Sequence, residues 1–104
     1  MTIHQPIVPA AEIDEFRNLM GDLSAEELAK RLKLRAHRNV ATMMLADTQS
    51  ATARQLCWMV VDRVTPNLYA PAPLDWLDEL ILFTRRLLIV ANQAHLTLDG
   101  GCYE

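Results

Sequence analysis

Between Gly21 and Gly100 the chain contains no glycine, and the three prolines of that stretch cluster at positions 66, 71 and 73. Tight turns draw on Gly and Pro, so long runs free of both favour helices. The proline cluster reads as one extended, stiff joint. The fold expected is therefore all-α: a compact bundle of about four helices, roughly 10–20, 24–46, 50–65 and 74–95, in a single domain of 104 residues. Residues 1–8 read as a loose N-terminal arm and 97–104 as a C-terminal tail.

The helix ends follow from local chemistry. Pro9 suits a first helical turn, where its missing N–H costs nothing. Ile13, Phe16 and Met20 then recur on one face, and Gly21 is a natural stop. Ser24 followed by Glu27 forms a capping box. In the helix it opens, Ala25, Leu28, Ala29, Leu32, Ala36 and Met43 form one apolar side. Leu34, Ala41 and Leu45 form a second, facing away from the first. Such a helix is either clamped on two sides or broken near residue 34. Asp47, Thr48 and Ser50 offer cap chemistry for the third helix. Ala53, Leu56, Cys57, Val60 and Val64 share its inner face, and Thr65-Pro66-Asn67 ends it. The fourth helix is apolar on most of its circumference. Trp76, Leu80, Phe83, Leu87, Val90 and Ala94 form its expected primary face, with Leu77, Ile81 and Leu88 on an adjacent stripe.

Charge is segregated. Residues 1–29 carry Arg17 against six acids, residues 30–63 carry seven Lys/Arg against two acids, and residues 64–104 carry two Arg against five acids. The basic middle is concentrated in KRLKLRAHR, 30–38. A fold that brings the ends onto the middle neutralises much of it. If the stretch is instead open, Lys30, Arg31, Lys33, Arg35, His37, Arg38 and Asn39 are the candidate contacts to nucleic acid or to an acidic partner. The segment LSAEELAKRLKLRAHRNVATMML resembles helix-turn-helix motifs at its start. It has an ELA step, Leu32, a short turn at Lys33-Leu34-Arg35 and a second helix. It departs from them in carrying Lys33 where the turn usually has Gly. The resemblance implies a DNA-binding transcriptional regulator, the alternative function. The negative net charge of −3 argues against it, because nonspecific DNA affinity comes largely from neutralised phosphates.

Half of the residues, 51%, are hydrophobic, and the mean hydropathy is +0.05. In a chain this short some of that excess must lie outside the core. Trp58 and Met59 on the third helix, Met44 in ATMML, and Leu77, Ile81 and Leu88 on the fourth are the expected partner or dimer interface. Arg85 and Arg86 sit among aliphatics. One is expected to face water and the other to pair with an acid such as Asp78, Glu79 or one from the first helix. His4, His37 and His95 have no spacing that builds a metal site, and no nucleophile or phosphate-loop motif appears. Cys57 reads as a small core residue, and Cys102 lies in the tail. No catalysis, cofactor, metal or membrane contact is expected. Two cysteines of unlike context fit a reduced, cytoplasmic compartment. The function expected is a small regulatory protein, acting as a homodimer that binds and masks or bridges another macromolecule.

Overall fold

A computed structural model describes the backbone of residues 10–99 and the side chains of residues 10–97. The expected arm at 1–8, most of the expected tail, His4 and Cys102 lie outside the described residues. The fold is all-α, with α1 (Ala10–Met20), α2 (Ala25–Asp47), α3 (Ala51–Asn67) and α4 (Leu74–Asp99). Among the described residues no helix is long and apolar enough to cross a membrane.

Each start is the one the sequence encodes. Ser24 Oγ accepts a hydrogen bond from Glu27 N–H at 3.0 Å, and Ser50 Oγ accepts one from Ala53 N–H at 3.1 Å. Each bond satisfies a donor that the first helical turn leaves free. Gly21 follows α1 at φ +79°, the left-handed conformation glycine adopts without cost. Pro66 sits in the last turn of α3, and the chain then crosses the 68–73 joint to α4. Residues 97–99, expected in the tail, continue α4.

Helices α2, α3 and α4 all pack on one another, whereas α1 packs on α2 alone among the helices. Two hydrogen bonds give the direction of α4. His37 Nδ1 meets Thr84 Oγ1, and His95 Nδ1 meets Thr48 Oγ1, both at 2.7 Å and both across 47 residues. A constant offset means that α2 and α4 run parallel. α3 runs back between their ends, with Cys57 Sγ donating to Met44 Sδ near one end and Arg31 reaching Leu68 near the other. Phe16 anchors α1, buried in the core with its ring centroid 5.0 Å from that of Tyr69 in the joint.

Three expectations need correction. First, α2 runs unbroken through Lys33-Leu34-Arg35. A helix-turn-helix needs a turn there, so residues 24–47 do not form that motif. Second, the core face of α2 is Arg31, Leu34 and Ala41. Ala25, Ala29, Ala36 and Met43 of the expected primary side are exposed. Third, the core face of α4 centres on Leu77, Leu80, Thr84 and Ala91. Trp76 and Val90 are turned outward, because α2 and α3 both press on the neighbouring stripe. The inner faces of α1 and α3 are as expected, with Phe16, Ala53, Cys57, Val60 and Val64 buried.

Candidate interaction surface

Most of the basic stretch is engaged within the chain. Arg31 is fully buried, and its guanidinium is saturated. Nε and Nη2 donate to Glu27 Oε2 at 3.2 and 3.0 Å, Nη2 to Ala70 O at 2.8 Å, and Nη1 to Leu68 O at 2.7 Å. A longer contact runs to Asn67 O at 3.4 Å. These carbonyls lie at the C-terminal end of α3 and in the joint, where the helix dipole also favours a cation. Arg31 is therefore a structural cap, unavailable to nucleic acid.

Arg35 holds α1 against α2. It donates to Glu15 and to Tyr69 Oη, lies 3.6 Å from Glu12, and Tyr69 Oη donates to the second Glu15 oxygen at 2.9 Å. The Tyr69 hydroxyl and the Arg35 guanidinium hold the Glu15 carboxyl below its ordinary range. Lys30 donates to Asp78 on α4 and lies 3.7 Å from Glu26. The acidic N-terminal region and α4 thus neutralise the basic centre, the intramolecular arrangement that charge segregation suggested. Lys33 and Asn39 remain exposed, and Arg38 is half-buried. Arg85 and Arg86 are both exposed, and neither makes an ion pair among the described residues.

His37 is half-buried between α2 and α4. Thr84 Oγ1 gives its own proton to Ile81 O at 3.1 Å, so the His37 tautomer that fits carries its hydrogen on Nδ1. Burial first, then the Lys33 and Arg85 charges, hold the His37 pKa below its ordinary 6.5. A depressed histidine favours the fold while neutral. Its contribution is complete above about pH 6.5 and is lost as pH falls through the folded-state pKa. The unfolding midpoint should therefore fall as pH drops below 6.5, ahead of the losses from Glu15, whose ordinary value is 4.5. Chemical denaturation across that range, on wild type and His37→Gln, checks this: the variant should show a flatter slope.

The expected interface residues divide. Trp58 is 50% exposed and Met59 42% exposed, side by side on the outer face of α3. Leu77 is wholly buried in the chain's own core and is no contact for a partner. α4 packs on both α2 and α3, and Leu77 belongs to its buried face. Met44, Ile81 and Leu88 are half-buried, packed against that core. The sequence reading missed Met43, at 72% the most exposed large apolar side chain among the described residues, along with Val40, Leu82, Ile89 and Leu96. Met43 lies on the outer face of α2, opposite the side its apolar period suggests, and Leu82, Ile89 and Leu96 form a seven-residue series that the nearly all-apolar α4 does not single out. Cys57 is buried, and burial pushes its thiol pKa up, as suits an inert core residue.

Two grooves lie between the parallel helices on the side away from α3. One, of about 280 Å³, is lined by Glu26, Ala29, Lys30, Lys33, Asp78 and Ile81. The other, of about 300 Å³, is lined by Val40, Met43, Met44, Asp47, Asn92 and His95. Among the described residues no three His, Cys, Asp or Glu side chains gather as a metal site. Comparison with protein-family models, with curated proteins and with solved structures finds no match for this chain.

Proposed function

We propose that this is a small cytoplasmic regulatory protein that acts by occupancy, self-associating as a homodimer and masking or bridging a surface of another macromolecule. The observation that carries the reading is the pair Trp58 and Met59. Both lie on the outside of a helix whose inner face is entirely apolar core. A half-exposed tryptophan presents a large rigid contact area at little entropic cost, and an adjacent methionine adapts to what it meets. A scattered exposed side chain needs no explanation. Here, however, exposed large apolar side chains lie on every helix, in a chain whose own core is already packed.

Trp58→Ala tests the reading. As a surface truncation it should change stability by less than about 1 kcal/mol in a thermal melt. As an interface anchor it should cost about 2 kcal/mol or more of partner affinity. Immobilised wild-type and variant chains, exposed to the same cell extract, should differ in one or a few retained proteins. Equal retention by both would remove Trp58 as the anchor. A large loss of stability would make it a structural residue.

A further inference from the structure

We propose that the second copy of this chain docks antiparallel on the outer face of α2 and α4, with Lys33 of each copy reaching Asp47 of the other. This rests on the self-association proposed above and fixes its surface, its direction and its ion pair. It leaves the Trp58 and Met59 face open for a different macromolecule.

The first support is spacing. Ala29, Lys33, Ala36, Val40, Met43 and Asp47 follow one another at intervals of four, three, four, three and four residues, and all six are exposed. That is the spacing of a seven-residue repeat, with apolar residues at Ala29, Ala36, Val40 and Met43 and charged ones at Lys33 and Asp47. The same helix turns Arg31, Leu34 and Ala41 to its own core, so the seam is additional to what folding uses. The small side chains of Ala29 and Ala36 let a second helix come close, since interaxial distance depends on the side chains at the contact.

The second support is the shape of the face. The two grooves lie on one side of the α2–α4 pair, at its opposite ends. A two-fold axis perpendicular to the helices lays the Lys33 end of one copy over the Met43 end of the other. Ala36 then faces Val40 across the axis, and Lys33 lies level with Met43. The Lys33 stem packs on the thioether while its ammonium extends one turn further to Asp47.

The third support is charge. Lys30, Arg31 and Arg35 are engaged within the chain, whereas Lys33 and Asp47 have no ion-pair partner among the described residues. Parallel docking would set Lys33 against Lys33 and Asp47 against Asp47. Antiparallel docking pairs unlike charges at both ends of the α2 seam, which sets register, while the exposed Arg85 of each copy, next to Thr84 and so level with the axis, turns to solvent.

The experiment is a charge swap read by light-scattering mass and sedimentation. Wild type should be a dimer. Lys33→Glu alone and Asp47→Lys alone should each weaken dimerisation at least about tenfold, since each creates two like-charge contacts. An equimolar mixture of the two variants should recover a dimer, because each altered charge then meets its opposite. The chain carrying both swaps should dimerise by itself. Recovery is a readout that damage to the fold does not produce, and circular dichroism of each variant accompanies it. A dimer indifferent to both swaps, or weakened by both without recovery, overturns this surface while self-association stands. A wild-type monomer at the highest soluble concentration gives the face to another occupant and overturns both.

Discussion

Replacing Arg31 with alanine should remove about 3–5 kcal/mol of stability, the cost of breaking a buried charge pair by deleting one partner. The chain is a small domain, whose whole margin is on the order of 5–15 kcal/mol. The loss has three parts that act together. The carbonyls of Leu68 and Ala70 lose their donor where the backbone leaves α3. Glu27, at a half-buried site, loses the cation paired with it. A cavity opens where the largest fully buried side chain stood. The melting temperature should fall by about 12–40 °C, at about 4–8 °C per kcal/mol for a domain near this size. Arg31→Lys should recover little of it, because one ammonium cannot reproduce a planar fork shared between a carboxylate and several carbonyls. Arg31→Met should fill the space and still leave the carbonyls without donors. A melt of all three variants checks the order. If lysine restored wild-type stability, the fork geometry would not matter, and charge alone would explain the site.

Leu77→Ala should cost about 2–5 kcal/mol, the range for emptying a leucine site in a packed core. Leu82→Ala, five residues further along the same helix, should stay within about 0.5 kcal/mol as a surface change. Both are leucines in an apolar helix, and one is wholly buried while the other is 44% exposed. Urea unfolding of the two variants side by side measures the contrast. Near-equal losses would mean that α4 packs on a different face from the one described.

That contrast also marks what the sequence could reveal. Helix ends depend on chemistry within three or four residues, so Ser24, Ser50 and Gly21 announced them, and the expected boundaries match those of the structure within a few residues. Faces depend on what a helix meets. α1 and α3 have one apolar stripe each, and period alone identified it. α4 is apolar almost all round, so its own pattern cannot choose a side. The buried centre even holds Thr84, a polar residue that no apolar count would place there. On α2 the misleading residue was Arg31. Nothing nearby in sequence shows that its donors are taken up by carbonyls beyond residue 66, and without that knowledge a stripe containing an arginine reads as solvated. The basic stretch was legible as charge to be neutralised, since the acids of α1 and α4 were visible in composition. That Lys33 would be the lysine left over required the fold.

The paired His–Thr contacts bear on how this chain tolerates changes in length. His37 and Thr48 are separated by the same interval as Thr84 and His95. One residue added inside either interval rotates everything after it by about 100°. One contact of the pair would then be lost, along with every core side chain beyond the insertion. The same residue added at 71–73, past the Leu68 and Ala70 carbonyls that hold Arg31, lengthens a connector and leaves both intervals intact. Natural relatives should therefore differ in length at 71–73 and keep the two intervals equal. A graft that lengthens α2 should hold only if α4 is lengthened by the same number of residues.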